Sequence, residues 1–268
     1  MPGTIVTPGW LAMKLAPFGT QMALAVLGAG LTLHDGKASD EEIDAWYAEL
    51  EATPDTVFML NQHYVALEAA YPYLLGYLRA ITSWTEDPQI EHWEQTALAA
   101  AALRGIAWSQ CEHKDEGDLL GMVYNQMISI GARRTRVFNF VTPQEIVMEI
   151  MLNPSALATT LRLGSFTDAW CGSGTRVIAV HDLLMVFDRP TNIAWRLNDP
   201  NPMAIAMAGL NMVSHSIGPD VELRCDIEYA QAWGATSLYA RHRPLLRQIP
   251  PEVADDVPGV LDRSDLGS

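Results

Sequence analysis

Apolar residues recur at helical spacing through the first half of the chain, which predicts a helical N-terminal domain over residues 1–135. The sequence Ser39-Asp40-Glu41-Glu42 is typical of a helix N-terminus, because the serine can cap the backbone and the glutamate can cap it in return. The predicted helices are one over 41–51, one that starts at Pro54-Asp55 and is interrupted by Pro72, one that Pro88 opens and that runs through 97–103, and one over 115–130.

In the second half, short β-prone runs alternate with helical patterns. The runs end in Asp168, near Asn198 and in Asp226, and helices over 175–186 and about 202–215 lie between them. Such alternation is typical of strands joined by crossover helices, and it predicts a parallel sheet. We therefore predict the α/β class: the helical domain is followed by a truncated, doubly wound unit of about three strands within residues 136–250.

Aromatic residues are frequent on the predicted N-terminal helices. They could form a surface on which nucleic-acid bases stack, but aromatics at helical spacing more often belong to a hydrophobic core, and we favour the core. The residues concerned are Trp46, Tyr47, Tyr64, Tyr71, Tyr73, Tyr77 and Trp84.

Composition indicates a folded globular protein and makes free DNA an unfavourable partner. Of 268 residues, 49% are hydrophobic and 18% are charged, which is enough apolar side chain for a sizeable core. The formal net charge of −15 repels nucleic acid, so we expect only weak DNA binding by the chain alone. Two arginine clusters, at 133–136 and 241–247, are interpreted as solvated surface, with DNA contact as the alternative.

Targeting and redox features favour a cytoplasmic protein that does not enter the membrane. The three cysteines have no close pairs, so they form neither a disulfide framework nor a metal site. No signal peptide is evident at the N-terminus, and the apolar run over 22–33 is too short to span a bilayer. Residues 251–268 are rich in Asp, Pro and Gly and predict a poorly packed acidic tail.

The segment with the clearest chemical meaning is Phe166-Thr-Asp-Ala-Trp-Cys-Gly-Ser-Gly-Thr175. It predicts a strand that ends at Asp168, a turn that contains Gly172 and Gly174, and a helix that begins at Thr175. Glycine tolerates a positive φ and has no Cβ, so such a turn lets backbone N–H groups approach a ligand closely. An isolated Gly-x-Gly is a weak signal, and its meaning depends on the motifs around it.

Four motifs stand in order around this turn. They are Gly117-Asp118-Leu119-Leu120-Gly121-Met122-Val123-Tyr124, then Phe138-Asn139-Phe140-Val141-Thr142-Pro143, then the glycine turn, and then Asn198-Asp199-Pro200-Asn201-Pro202 with a helix that carries Asn211 and ends at His215. Over about residues 115–228 this order resembles the N6-adenine DNA methyltransferases, in particular the modification subunits of type I restriction-modification systems. The resemblance implies a Rossmann-like, class I methyltransferase fold and S-adenosylmethionine as the cofactor.

The resemblance also implies roles for individual residues. Asp168 would accept hydrogen bonds from the ammonium of the methionine moiety, and Thr142 and Pro143 would close over the same end of the cofactor. Asp199 would face the ribose, which agrees with the position of a carboxylate in doubly wound folds. An ordinary turn residue is the alternative for Asp199.

Two further positions belong to the implied cofactor site. Asp226 would contact the adenine amine, with a strand-end cap as the alternative. Cys171, between Asp168 and Gly172, is interpreted as a small buried apolar residue and not as a reactive thiol.

One motif of the family is missing. These enzymes hold the target amine with Asn/Asp-Pro-Pro-Tyr/Phe, and here the nearest sequence is Ile249-Pro250-Pro251-Glu252, in which isoleucine cannot accept from an amine and glutamate cannot stack on a base. Two hypotheses follow. In the first, the chain is an S-adenosylmethionine-binding relative that modifies DNA, and the acceptor is placed by unfamiliar residues of its own or by residues of a second protein subunit or a second copy of itself. In the second, it is an inactive methyltransferase-like pseudo-enzyme with a structural or interaction role.

Overall fold

The fold is described from a computed structural model, which covers residues 6–111, 117–131, 164–188 and 192–228. These segments contain nine α-helices and a sheet of three strands. In chain order they are α1 (Pro8–Leu15), α2 (Thr20–Leu31), α3 (Asp40–Ala52), α4 (Thr56–Ala70), α5 (Arg79–Thr82), α6 (Ile90–Leu103), α7 (Leu119–Gly131), β1 (Ser165–Asp168), α8 (Thr175–Val186), β2 (Ala194–Asn198), α9 (Pro202–Ser214) and β3 (Val221–Arg224).

Local signals place the helix boundaries close to the predicted positions. The capping box of α3 is present: Glu42 N–H donates to Ser39 Oγ at 3.3 Å, and Ser39 N–H donates to the Glu42 carboxylate at 2.8 Å. Helix α4 ends at Ala70, two residues before the predicted break at Pro72, where a short 3₁₀ helix follows. Helix α8 begins and ends at the predicted residues.

The sheet is parallel and has the order β1-β2-β3. Asp168 pairs with Leu197, and Asn198 pairs with Arg224. Helices α8 and α9 connect the strands in turn, so the predicted α/β alternation is confirmed. Since the strands are parallel, their carboxyl ends share one edge of the sheet, and the turn after β1, Asp199 and Asp226 all lie at that edge.

One continuous hydrophobic core joins the helices to the sheet. It extends from Val6 to Leu223 and includes α2, whose residues 22–31 are all buried, and α9, which is buried from Ala204 to Val213. Helix α9 packs against α2, α5 and α7, and Tyr77 Oη donates to the Leu223 carbonyl at 2.7 Å. The predicted domain boundary at residue 135 and the predicted tail at 251–268 lie outside the described residues.

The aromatic residues of the N-terminal helices belong to the core, as predicted. Tyr47 and Tyr64 are buried, and their hydroxyls donate to the carbonyls of Val26 and Ala25 at 3.1 and 2.5 Å. The others are partly buried and pack against the same core: Trp46, Tyr71, Tyr73, Tyr77 and Trp84.

None of the helices in the described segments combines the length and apolar character that a bilayer span needs. The three cysteines are free thiols; Cys111 and Cys171 are buried and Cys225 is exposed. Over the same segments, no group of three or more His, Cys, Asp and Glu side chains is arranged to hold a metal ion.

Candidate functional site

The glycine turn between β1 and α8 has the backbone conformation that the sequence predicts. Gly172 has φ +56° and Gly174 has φ +92°, both in the left-handed region that favours glycine. Among the described residues, no atom lies within 4 Å of a Cβ added at Gly172, so that side of the turn is open within this part of the structure. A Cβ at Gly174 would instead pack against Ala208 and Met212 of α9 at 3.5 Å. The turn is therefore packed on α9 at one glycine and open at the other.

Asp199, directly after β2, is hydrogen-bonded to the glycine turn at Gly172. Its Oδ2 accepts from Gly172 N–H at 3.0 Å, and its Oδ1 accepts from Asn201 N–H at 2.9 Å. Only 5% of the residue is exposed, and this burial raises the pKa of its carboxyl, against the two backbone hydrogen bonds. A carboxylate has about four acceptor positions, so each oxygen keeps one for a further donor. Asp199 thus serves as a turn residue that contacts the backbone of Gly172.

Asp168 forms a second carboxylate site beside the turn. Its Oδ1 accepts from Trp170 N–H at 3.1 Å, and its Oδ2 accepts from the Arg176 guanidinium at 3.2 Å. Asp168 is 7% exposed, whereas the Arg176 side chain is 41% exposed. The nearby Asp168 charge also raises the pKa of Asp199, so the two carboxylates lie close enough to repel one another.

Asn198, at the end of the central strand, holds the loops after β1 and β3 together. Its Nδ2 donates to the carbonyls of Ala169 and Asp226, each at 3.0 Å, and its Oδ1 accepts from Asp226 N–H at 3.0 Å. The Asp226 side chain is exposed and caps the following turn by accepting from Glu228 N–H at 2.8 Å. The Asp226 carboxylate therefore caps the turn after β3, and it lies near the edge where the strands end.

A buried carboxylate is hydrogen-bonded to the glycine turn. The sequence motifs implied no role for it. Asp118 is fully buried and lies directly before α7. It accepts hydrogen bonds from Ser173 Oγ, from Thr175 Oγ1 at 2.5 Å, from Asn211 Nδ2 at 2.8 Å and from Gly121 N–H at 2.7 Å. Asp118 therefore caps α7 and joins it to the turn and to α9.

Helix α7 lies directly against the turn because Gly121 leaves room for it. A Cβ at Gly121 would overlap Ser173 Oγ and the Asp118 carboxylate. One helical turn further on, the Tyr124 hydroxyl is hydrogen-bonded to the Asn201 side chain and lies near Asp199. In the sequence, only the motif at 117–124 indicated these roles. Its Asp, Gly and Tyr lie beside the glycine turn in the structure.

Cys171 is unsuited to nucleophilic chemistry. It is 6% exposed, and burial together with the charges of Asp168 and Asp199 raises the pKa of its thiol well above the ordinary value. A thiol that stays protonated is a poor nucleophile. The interpretation of Cys171 as a small buried residue is confirmed.

The structure brings six of the eight predicted site residues to one edge of the sheet: Asp168, Cys171, Gly172, Gly174, Asp199 and Asp226. The other two, Thr142 and Pro143, lie outside the described residues. So do the arginine clusters at 133–136 and 241–247 and the Pro-Pro sequence at 249–252.

No protein-family model matches the sequence, and a search of the curated proteins gives no match. The chemistry of the site is therefore inferred from its own residues. The open side of Gly172, the carboxylates of Asp168, Asp199 and Asp226 and the Arg176 guanidinium can together bind a ligand that carries hydroxyl, amine and charged groups.

Proposed function

We propose that the chain binds S-adenosylmethionine and is related to the N6-adenine DNA methyltransferases, with a Rossmann-like cofactor site. The observation that carries the proposal is the open, left-handed glycine turn at Gly172, which lies at the same sheet edge as three aspartates. The sequence also contains the four motifs in the order expected for that family. Ligands of open α/β sheets bind at the carboxyl ends of the strands.

The residues at this edge fit the groups of the cofactor. Asp168 offers a carboxylate to the ammonium of the methionine end. Asp199, directly beside Gly172, has a free acceptor position on each oxygen for the ribose hydroxyls. Asp226, which is exposed two residues after the end of β3, would offer its carboxylate to the adenine amine. The chain's part is to bind and orient the cofactor, which supplies an electrophilic methyl group.

We propose further that the chain alone does not transfer the methyl group to DNA. Transfer requires an adenine amine that is held in line with the sulfonium, and this positioning supplies roughly 7–11 kcal/mol of barrier reduction. The sequence lacks the tetrapeptide that performs this step in the family, and its net charge of −15 disfavours the DNA itself. A second subunit or a second copy would supply the acceptor site; without one, the chain is a pseudo-enzyme with an interaction role.

The binding proposal is tested by calorimetric titration with S-adenosylmethionine. We expect a micromolar Kd, which corresponds to a binding free energy on the order of −7 to −8 kcal/mol. Gly172→Leu should abolish binding, because its side chain fills the open space beside the turn. Gly105→Leu is a matched control: Gly105 has φ +67°, no atom of a described residue within 4 Å of an added Cβ, and an N–H that donates to the Asp44 carboxylate. Both variants have similar backbone strain, so only loss at Gly172 reports on the ligand. A folded parent chain that binds none of the cofactor would refute the proposal.

The transfer proposal is tested by incorporation of tritiated methyl groups into unmethylated genomic DNA. We expect no incorporation above background by the purified chain, and incorporation only after a complementing protein is added if the enzyme is split. Robust incorporation by the chain alone, abolished by Asp168→Ala, would show that the acceptor site is complete and that the missing tetrapeptide has been replaced by other residues.

A further inference from the structure

Arg176 is a charged residue of the site, and the family resemblance implies no role for it. It lies in the first turn of α8, two residues after Gly174, and its guanidinium bonds Asp168 Oδ2 at 3.2 Å. The two partners differ in exposure, since Asp168 is 7% exposed and the Arg176 side chain is 41% exposed. The Asp168 carboxylate is therefore buried and held by Trp170 N–H and Arg176, while the Arg176 side chain is partly exposed beside the turn.

Three charged groups lie beside the glycine turn. Arg176 contacts Asp168 at 3.2 Å, and Asp199 accepts from Gly172 N–H at 3.0 Å. Both carboxylates also raise the pKa of the Cys171 thiol next to Gly172. Two carboxylates and one guanidinium carry a total charge of −1. A ligand with one net positive charge, and with an ammonium and a carboxylate on the same carbon, complements this group.

We propose that the Asp168–Arg176 pair recognises a zwitterionic α-amino acid group, with Asp168 binding the ammonium and Arg176 binding the carboxylate. This inference rests on the proposed function and identifies Arg176 as the residue that selects the amino-acid end of the cofactor. On binding, the ammonium of the ligand replaces the guanidinium as a donor to Asp168, and the guanidinium donates to the carboxylate of the ligand. The planar guanidinium suits this role, since it can donate two parallel hydrogen bonds to a carboxylate.

The first test changes only the ligand and needs no variant. S-adenosylmethionine and decarboxylated S-adenosylmethionine differ by the carboxylate, and both keep the ammonium, the sulfonium and the nucleoside. We expect the parent chain to bind the decarboxylated form roughly 10- to 100-fold more weakly, as for a lost hydrogen bond between charged groups. Equal affinities for the two ligands would overturn the inference and leave the proposed function standing.

The second test combines the two ligands with Arg176 variants. In Arg176→Gln the roughly 10- to 100-fold preference should disappear, because the carboxylate has lost its partner. Arg176→Lys should keep part of the preference, since the charge remains without the planar fork. Arg79→Gln, which breaks an exposed arginine pair with Glu86 on the helical part, is the control and should keep the full preference.

The failures of the two proposals are distinguishable. If the parent chain binds neither ligand, the proposed function and the inference fail together. If it binds both and Arg176→Gln keeps the preference for the carboxylate, the inference alone fails. Thermal unfolding of each variant shows whether it is folded, and the comparison of ligands on the parent chain decides the question if Arg176→Gln does not fold.

Discussion

At the scale of single residues, Asp118 has the largest number of hydrogen-bonding partners around the glycine turn. It is excluded from solvent, and its two oxygens accept from two hydroxyls, one amide and one backbone N–H. All four partners are donors, which only an acceptor-rich group can satisfy. Because the donors come from α7, the turn and α9, this one carboxylate joins three parts of the fold.

We expect Asp118→Asn to destabilise the protein by about 3 kcal/mol or more. The substitution keeps the shape of the side chain but points an NH₂ group at buried donors, leaving them without an acceptor. The measurement is urea unfolding followed by tryptophan fluorescence. Asp40→Asn is the control, because Asp40 also accepts from a backbone N–H and a hydroxyl, those of Ser109, but near the surface. A loss below about 1 kcal/mol at Asp118 would contradict the role given to it.

At the scale of elements, helix α3 shows how capping places a helix whose interior is weakly apolar. Its first turn contains Asp40, Glu41 and Glu42, whose negative charges suit the positive end of the helix dipole. Only Ile43, Tyr47 and Leu50 are buried, one face of a 13-residue helix. The capping box at Ser39 and Glu42 therefore contributes directly to where this helix begins.

Ser39→Ala should lower the free energy of unfolding by about 1 kcal/mol, since the N–H of Glu42 loses its acceptor within the protein. The change is measured by thermal or urea unfolding. Ser83→Ala is the control, because Ser83 is an exposed serine that opens a short 3₁₀ helix, and it should have little effect. Equal effects of the two substitutions would show that the cap contributes nothing of its own.

At the scale of the whole molecule, burial of polar side chains among the packed helices makes stability depend on pH. His63, on α4, lies against Trp46 and Tyr64, and its Nε2 is 3.0 Å from Thr32 Oγ1 of the residue that follows α2. Burial lowers the pKa of His63 from its ordinary value to about 4. The folded protein therefore keeps His63 neutral at a pH where the unfolded chain binds a proton there.

The stability that depends on neutral His63 should be complete above about pH 6.5 and should be lost as the pH falls from there towards about 4. Between pH 7 and pH 5 we expect a loss of about 2 kcal/mol, from about 1.4 kcal/mol per pH unit. Urea unfolding at the two pH values measures it. In His63→Gln this part of the pH dependence should be absent, and His34→Gln, at an exposed histidine, is the control. An identical pH dependence of the parent chain and His63→Gln would disprove the assignment.

The sequence by itself determined the features that arise within a few residues. The serine before α3 acts through a hydrogen bond of its own side chain. The prolines near the starts of α4 and α6 and the glycines of the turn act through their own backbone geometry. The alternation of short apolar runs with helices likewise determined a parallel sheet, because strands that run in the same direction need crossover connections. It follows that Asp168, Asp199 and Asp226 had to lie at one edge.

Only the tertiary structure decided which distant groups meet at that edge. Asp118 lies 55 residues from Ser173 and 93 residues from Asn211, and no local pattern encodes either contact. The pairing of Asp199 with Gly172 N–H likewise depends on how the ends of β1 and β2 are juxtaposed. The periodicity of apolar residues indicates which side of an element is buried. Hydrogen bonds between elements depend on distances and angles, and these exist only once the core around α2 and α9 has packed.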